Sequence, residues 1–400
     1  MKRLIILFCC LGISVSIKAQ TDTAAFRTIS NEVKKEFAPD KRSVYFNYQI
    51  KGDTILVEST SENALAALDK QVKEIQGFVK VNSLLPAKSL KGMEYGLANL
   101  SVCNNRSAPQ NSAEMLTQMI LGTPVQVLKK VGGYYLVKTP DGYLSYTDGT
   151  AVSLMNKDDF EAWKKSKRII YMQDFGHAFS QPDVNSTRVS DLVKGNILEV
   201  LAEQKNYYKV LFPDKRVGFV KKVDAKGFSE WEKSPNPNAG AILETAKTLI
   251  GVPYLWGGTS IKGVDCSGFT KTSYFLNGII IPRDASQQAL VGAAIDVLDA
   301  DSISVEKCLN NLEPGDLLFF SAAKRRGVAG GRVTHTAIYM GKGEFIQSAG
   351  MVKISSLVPT ASNYDAHQSK TLVSARRFLT EIGKLEITRV NQHEWYGKMN

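Results

Sequence analysis

Residues 251–270 read GVPYLWGGTSIKGVDCSGFT, and this stretch governs the interpretation of the rest of the chain. A glycine-rich aromatic loop precedes Cys266, and an apolar segment that predicts a short helix follows it. Asp265 fits the N-cap of that helix, and Gly278 fits its C-terminal cap. In the first helical turn, unpaired N–H groups and the helix dipole favour a thiolate over a thiol. The stretch therefore predicts a nucleophilic cysteine at a helix N-terminus.

Two motifs around Cys266 carry a family resemblance. They read PYLWGG at residues 253–258 and DCSGF at residues 265–269, in that order and at short spacing. Here the chain resembles the NlpC-type cysteine peptidases, a papain-like family of bacterial cell-wall hydrolases. The similarity continues through three further segments, at residues 282–288, 312–317 and 335–341. A lone cysteine is often a buried structural residue, but these flanking motifs favour the catalytic interpretation.

A thiol nucleophile needs a base, and the chain contains four histidines. His335 lies in the alternating segment RVTHTAIYM at residues 332–340, which predicts a strand. The resemblance implies that this strand carries the general base for Cys266. It also implies a polar residue on the next strand, here Gln347, that orients the imidazole by accepting its Nδ1–H. Tyr254, together with the Cys266 backbone N–H, is implied as the oxyanion-binding group.

The resemblance also implies a substrate. Relatives with SH3-like barrels cleave murein stem peptides between D-γ-glutamate and a diamino acid, and one subgroup requires a free N-terminal L-Ala. In that subgroup an acidic residue and a tyrosine of the first barrel hold the amine, and the matching residues here are Glu114 and Tyr143. Further peptide contacts are implied for Asp265, Ser267, Asp284 and Ser286. No metal or other cofactor is expected, because the His and Cys spacings fit no zinc site.

The sequence before the peptidase domain predicts smaller modules. Two segments repeat the order strand, gap, Tyr-Tyr strand, Pro-Asp turn, strand, and they resemble bacterial SH3-like barrels. These resemblances imply an α+β fold class, with a papain-like NlpC-type hydrolase domain preceded by two small all-β SH3-like barrels and a small N-terminal α/β module. We expect a signal peptide at 1–19, the N-terminal module at 20–77, barrels at 78–153 and 168–233 with a connector at 154–167, a linker at 234–238 and the peptidase domain at 239–400.

The N-terminus predicts an extracytoplasmic protein, either periplasmic or secreted. Lys2 and Arg3 precede an apolar run, and Ala19 supplies the small residue of a cleavage site. A lipoprotein anchor at Cys9 or Cys10 is disfavoured, because neither follows the small residue that such a site prefers. No later segment predicts a transmembrane helix. A composition of 44% hydrophobic and 22% charged residues is typical of a globular protein, and we expect a monomer.

The partners expected from the sequence are murein stem peptides. Removal of residues 1–19 deletes three positive charges and lowers the net charge from +11 to +8. A mildly basic mature protein could be drawn to anionic wall polymers or could have only a solvated surface, and no aromatic-basic pattern predicts nucleic acid. Alternatives are a general murein endopeptidase, a wall-binding adaptor with a silent domain, and an acyltransferase or other amidase on the papain-like core. The presence of both Cys266 and His335 argues against a silent domain. Cys103 and Cys308 are expected to be free, since nothing in the sequence places them together.

Overall fold

The computed structural model describes residues 8–73, 79–233, 237–299, 302–321, 332–384 and 386–397, and for residues 8–22 and 302 it describes only the backbone. The chain divides into two compact units, Met1–Lys91 and Gly92–Asn400. Within the described ranges, no helix combines the length and the apolar character needed to cross a membrane. The predicted signal peptide begins outside these ranges and stays a prediction.

The N-terminal unit packs two helices against a small mixed sheet. Its elements are α1 Phe8–Phe37, β1 Phe46–Lys51, β2 Thr54–Ser59, α2 Glu62–Gln71 and β3 Val79–Leu84. β1 pairs antiparallel with β2 across the expected hairpin, and β3 pairs in parallel with β2. Phe26 and Val33, two turns apart on α1, are buried in one cluster with Val57 of the sheet.

This unit extends further along the chain than the sequence predicted. We expected the module to end at residue 77 and the first barrel to begin at residue 78. β3 lies beyond that limit, yet it pairs with β2 along its whole length, and Val79 N–H donates to the Asp53 carbonyl at 2.8 Å. Parallel strands need a crossover connection, and α2 lies between the two strands in the chain. The boundary at residue 77 is therefore corrected, and the first barrel begins after Lys91.

Two barrels of identical strand order follow. The first contains β4 Tyr95–Ala98, β5 Val102–Arg106, β6 Met115–Ile120, β7 Pro124–Val131, β8 Tyr134–Lys138, β9 Leu144–Asp148 and β10 Val152–Met155. The second contains β11 Arg168–Tyr171, β12 Phe175–Phe179, β13 Arg188–Val193, β14 Ile197–Gln204, β15 Tyr207–Leu211, β16 Val217–Lys221 and β17 Ala225–Gly227. Their orders, β10-β4-β7-β8-β9-β5-β6 and β17-β11-β14-β15-β16-β12-β13, correspond position by position. The internal repeat predicted from the sequence is therefore confirmed.

A shared aromatic core joins the barrels to the C-terminal domain. The connecting helices are α3 Lys157–Lys165 and α4 Phe228–Trp231. The Arg168 guanidinium lies between the rings of Trp163 and Phe228, 4.5 and 4.2 Å from their centroids. Both barrels, both helices and the C-terminal segment contribute to this buried cluster, with members that include Leu97, Ile197 and Tyr396. The barrels are thus packed firmly against the domain that follows. Residues 234–236 of the predicted linker lie outside the described residues.

The C-terminal domain packs helices on both faces of an antiparallel sheet. Its helices are α5 Ala239–Thr248, α6 Cys266–Phe275, α7 Ala285–Gln288, α8 Val305–Asn311 and α9 Ala366–Thr371. Its strands are β18 Thr259–Ser260, β19 Gly263–Val264, β20 Ile279–Ile280, β21 Ala293–Ile295, β22 Leu298–Asp299, β23 Ser302–Ile303, β24 Leu317–Phe320, β25 His335–Gly341, β26 Glu344–Ala349, β27 Met351–Ser356, β28 Leu372–Arg377 and β29 Thr388–Arg389. The main sheet has the order β21-β28-β24-β25-β26-β27.

The two faces of this sheet explain why β24 is apolar at every position. Leu317 and Phe319 belong to the cluster that contains residues of α5 and α6, whereas Leu318 and Phe320 belong to the cluster that contains Cys308 of α8. A strand that is covered on both faces reads as a continuous apolar run. The fold class is α+β, as predicted. The helix α6, which begins at Cys266, packs on β25, the strand that begins with the predicted base His335.

Candidate active site

Cys266 is the first residue of α6, and its neighbours fix that position. The Asp265 oxygen Oδ1 accepts the Gly268 N–H at 2.6 Å, which is the N-cap contact that the sequence predicts. The Cys266 side chain is 6% exposed, and its Sγ lies 4.0 Å from the Thr334 carbonyl oxygen. The predicted helix start is therefore confirmed, and the thiol lies beside the strand that begins at His335.

A buried arginine holds Asp265 and, with it, the loop before the nucleophile. Arg283 is 0% exposed, and its terminal nitrogens donate to Asp265 Oδ1 and Oδ2 at 3.1 and 2.6 Å. The same carboxylate accepts the Gly257 N–H at 2.9 Å. Gly257 has a φ of +78°, and a Cβ there would lie 2.7 Å from the Met115 carbonyl oxygen, so glycine is required. Sequence reasoning missed Arg283, although it lies in one of the segments that carry the family resemblance.

The two residues that flank Cys266 are engaged with the protein itself. Ser267 Oγ accepts from Arg283 at 2.9 Å and donates to Asp265 Oδ1 at 3.3 Å. Burial acts to lower the pKa of Arg283, but the Asp265 carboxylate outweighs it and raises that pKa, so the guanidinium keeps its charge. Asp265 and Ser267 therefore organise the site. Their predicted contact with the peptide stays a prediction.

His335 forms a short contact with Gln347, its neighbour on β26. The imidazole Nε2 and the Gln347 Oε1 are 2.7 Å apart. The Gln347 amide nitrogen donates to Ser355 Oγ and to Asp365 Oδ2, at 2.9 and 3.0 Å. Because that nitrogen is occupied, the carbonyl oxygen faces the ring, and the hydrogen-bond pattern assigns the imidazole proton to Nε2. The prediction that Gln347 accepts from Nδ1 is wrong in that detail, and Nδ1 keeps the basic lone pair.

Burial controls the charge of both the thiol and the imidazole. It raises the pKa of the Cys266 thiol to about 12, and the Asp265 carboxylate acts in the same direction. The backbone N–H groups of Thr336 and Ser267 oppose this shift without cancelling it. Burial also lowers the pKa of His335. Burial therefore favours the neutral forms of the thiol and the imidazole, in opposition to the helix N-terminus, which favours a thiolate.

We expect alkylation of Cys266 by iodoacetamide to be slow at pH 7 and to accelerate up to at least pH 10. Only the thiolate reacts, and its fraction grows about tenfold per pH unit below the pKa. The measurement is the mass-resolved labelling rate at each pH. Cys266→Ala supplies the background from Cys103 and Cys308, two buried free thiols whose pKa values burial raises to about 11 and about 12. A fast rate that stays constant between pH 5 and 8 would instead reveal a preformed thiolate–imidazolium pair.

Tyr254 lies in the loop before the nucleophile. Its N–H donates to the Gly350 carbonyl at 2.9 Å, which ties this loop to the turn between β26 and β27. Burial, together with the nearby Cys266 and Asp265, raises the pKa of Tyr254, so its hydroxyl keeps its proton. A protonated phenol can donate to a developing oxyanion, and this role for Tyr254 stays a prediction.

Two residues of the first barrel reach the loops around Cys266. Tyr143 is 2% exposed, and its hydroxyl donates to Asp284 Oδ2 at 3.1 Å. Glu114 is exposed, and its Oε1 accepts the Trp256 indole N–H at 3.0 Å. Asp284 caps α7, and Trp256 belongs to the glycine-rich loop. The structure therefore brings the predicted residues Glu114 and Tyr143 onto the C-terminal domain.

The turn before Tyr143 is anchored to the nucleophile helix. Asp141 has a side chain that is 1% exposed, and it forms an ion pair with Lys271 of α6. Burial acts to raise the pKa of Asp141, but the Lys271 ammonium outweighs it and holds that pKa below its usual value. Because this pair is buried, the position of Tyr143 relative to α6 is fixed by charge as well as by packing.

The strand β6 runs along the loop that precedes the nucleophile. Thr117 Oγ1 accepts from Arg283 Nε at 2.8 Å. The Gln118 side-chain oxygen accepts the Thr259 N–H at 3.0 Å, and the Gln118 backbone carbonyl accepts the Thr259 hydroxyl at 3.1 Å. The first barrel is therefore bonded directly to the residues that position Cys266. Ser286, the last of the predicted peptide contacts, is partly buried in the first turn of α7.

Comparisons with known proteins agree with this geometry. Residues 251–377 match the NlpC/P60 family, and residues 101–152 match the bacterial SH3 domain. A gamma-D-glutamyl-L-lysine dipeptidyl-peptidase from Bacillus cereus is 30% identical over 263 residues, which cover 62% of this chain and 72% of that protein. A protein of the same name from Bacillus subtilis is 30% identical over 281 residues, which cover 66% of this chain and 81% of that protein.

A solved structure shows the same fold. An NlpC/P60 family protein from Bacillus cereus matches with a TM-score of 0.58 and 24% sequence identity, covering 71% of this chain and 99% of that one. This likeness concerns the architecture alone, whereas the sequence relatives match over 72% and 81% of their own lengths. The cysteine at the start of its helix, the histidine on the packed strand and these relatives lead to one conclusion. The chain belongs to the NlpC/P60 family of cysteine peptidases.

Proposed function

We propose that this protein is a cell-wall peptidase that hydrolyses the bond between γ-D-glutamate and the diamino acid of murein stem peptides. Two relatives that are each 30% identical carry the name gamma-D-glutamyl-L-lysine dipeptidyl-peptidase. An enzyme that removes a dipeptide must recognise the amino end of its substrate. The proposal therefore includes a requirement for a free N-terminal L-Ala.

The observation that carries this proposal is the contact between Tyr143 and Asp284, 3.1 Å from hydroxyl to carboxylate. It sets a phenol from the first barrel against an acid at the cap of α7, and an ammonium group binds well where such oxygens meet. Glu114, held by Trp256, adds a second carboxylate from the first barrel. The first barrel then closes the end of the binding site, so that the substrate cannot extend beyond its free amino group.

The proposed chemistry starts from the neutral thiol and the neutral imidazole that burial favours. His335 takes the Cys266 proton on Nδ1 as the sulfur attacks the γ-glutamyl carbonyl, and the C–S bond forms. Tyr254 and the Cys266 N–H stabilise the oxyanion. The imidazolium then protonates the leaving amine of the diamino acid, and the C–N bond breaks. Water, deprotonated by His335, hydrolyses the thioester and releases the dipeptide.

We expect the tripeptide L-Ala-γ-D-Glu-diamino acid to give two products, the dipeptide L-Ala-γ-D-Glu and the diamino acid. Mass spectrometry of a timed digest identifies the bond that is cut, and lysine and diaminopimelate versions run in parallel compare the two diamino acids. Release of alanine alone, or an uncut peptide, would contradict the assignment. Solubilisation of intact murein at a comparable rate would make the protein a general wall endopeptidase.

We also propose that the protein acts outside the cytoplasm. Support comes from Lys2 and Arg3 ahead of an apolar run, and from Ala19 at the expected cleavage site. N-terminal sequencing of protein recovered from outside the cytoplasm should begin at Gln20. Protein that keeps Met1, or that remains in the cytoplasm, would contradict this proposal.

A further inference from the structure

The orientation of the Gln347 amide decides which nitrogen of His335 is basic. The two ends of a glutamine amide have nearly the same shape, so contact with the ring does not by itself select one. Gln347 is 0% exposed, so water does not compete for either end. If the amide were reversed, its N–H would face Nε2, and the imidazole proton would move to Nδ1. The lone pair of His335 would then lie on Nε2, where it accepts from the Gln347 amide, and Nδ1 could not take up the Cys266 proton.

Two groups accept hydrogen bonds from the Gln347 amide nitrogen, and they differ in whether they fix the orientation of the amide. Ser355 Oγ lies 2.9 Å away, but a hydroxyl can donate or accept and would tolerate either orientation. Asp365 Oδ2 lies 3.0 Å away, and an ionised carboxylate can only accept. The carboxylate therefore selects the orientation that places the amide oxygen against His335.

Asp365 is itself held in place at the start of α9. Its Oδ1 accepts the Gln368 N–H at 3.0 Å as the N-cap of that helix. Its backbone N–H donates to the Ser356 carbonyl at 3.0 Å, which ties it to the end of β27. One carboxylate oxygen thus caps α9, while the other is directed at Gln347. Sequence reasoning did not identify this residue.

We propose that Asp365 is a positioning residue for the hydrolysis assigned above, acting through Gln347 to hold His335 in its Nε2–H tautomer. The expected effect on kcat rests on the proposed function, whereas the expected effect on the His335 tautomer does not. The charge of Asp365 adds a second effect, because it stabilises the imidazolium that forms when Cys266 loses its proton.

Several charged groups surround the His335 ring. Burial lowers the pKa of His335, while Asp365 and Asp265 act to raise it and His367 acts to lower it further. The Cys266 thiol, on α6, lies 4.0 Å from the carbonyl oxygen of Thr334, the residue before His335. Removal of the Asp365 charge alone therefore lowers the pKa of the imidazole. Since the neutral ring is the active base, the acidic limb of the rate profile then moves to lower pH.

The test variant is Asp365→Asn, which keeps the side-chain shape. Its single oxygen can cap α9 or accept from Gln347, but it cannot do both. We expect kcat to fall about ten- to hundredfold, the range of a hydrogen bond to a charged group, with KM unchanged and the acidic limb at lower pH. The matched control is Ser304→Ala, which likewise removes the side-chain N-cap of a short helix, α8. It should leave kcat and the acidic limb of the pH–rate profile unchanged.

A double-mutant cycle with Gln347→Ala shows whether Asp365 acts through the amide. In that background, Asp365→Asn should cost less than about threefold further in kcat, because residues in one network are not additive. An equal loss in both backgrounds, or wild-type kcat for Asp365→Asn, would overturn the proposal.

The ¹⁵N chemical shifts of the His335 ring decide the structural part without any substrate. They should report the Nε2–H tautomer in the wild-type protein and an increased Nδ1–H fraction in Asp365→Asn. An unchanged tautomer in folded Asp365→Asn would refute the role of Asp365. This readout stands even if the tripeptide is not cut, so failure of this inference and failure of the proposed function remain distinguishable.

Discussion

Cys266→Ala should reduce peptide hydrolysis by at least about 10⁴-fold, because it removes the sulfur that forms the covalent intermediate. The side chain is small and 6% exposed, so we expect the free energy of unfolding to change by only about 1 kcal/mol. His335→Ala should show nearly the same loss, since nucleophile and base act as a unit. The measurements are kcat/KM on the tripeptide and a denaturant-unfolding curve for each variant.

The matched control for this experiment is Cys308→Ala. Cys308 is also a buried free thiol, but it belongs to the cluster on the other face of the main sheet. We expect its replacement to preserve kcat/KM. Activity within about tenfold of wild type in Cys266→Ala would remove the cysteine from the mechanism.

Arg283→Met should lower the free energy of unfolding by about 3–5 kcal/mol, because it leaves the Asp265 carboxylate buried without its partner. The variant also loses the hydrogen bonds of Arg283 to Thr117 and Ser267. Arg283 then no longer links the first barrel to the residue that follows Cys266. Thermal unfolding should occur about 10 °C lower. Hydrolysis should fall as well, since the loop before Cys266 depends on Asp265.

The double variant Arg283→Met with Asp265→Asn separates charge from packing. It removes the unpaired carboxylate along with the guanidinium, so it should be more stable than Arg283→Met alone. Hydrolysis should stay low, because Asn cannot reproduce all the contacts of Asp265. An unchanged unfolding midpoint in Arg283→Met would show that the buried pair does not hold the site together.

The sequence could reveal those residues whose role depends on their immediate neighbours in the chain. Asp265, Cys266 and the apolar residues after them lie within one helical turn of each other, so the N-cap and the helix start follow from short-range rules. The barrels were recognisable because the second repeats the strand and turn order of the first. In these regions local propensity and tertiary structure point to the same answer.

The residues that were missed act across long separations in the chain. Arg283 bonds Thr117, 166 residues away, and nothing near either residue reports that contact. Asp365 acts on Gln347 from a neighbouring loop, and its local sequence indicates only a helix cap. β3 was assigned to the wrong module, because alternation identifies a strand but does not identify its partner. The helix start also does not report the burial of the thiol, which raises its pKa.

The central claim is that the first barrel restricts the enzyme to peptides with a free amino end. Its most direct test is the ratio of kcat/KM for one tripeptide, L-Ala-γ-D-Glu-diamino acid, with and without N-acetylation. A charge-assisted bond to Glu114 or Asp284 contributes about 1.5–3 kcal/mol, and an unpaired carboxylate costs a similar amount. We therefore predict a preference of about a hundredfold or more for the free amine, and Glu114→Gln should reduce that preference. Equal rates on the two peptides would contradict the account and leave a cell-wall endopeptidase that does not recognise the amino end.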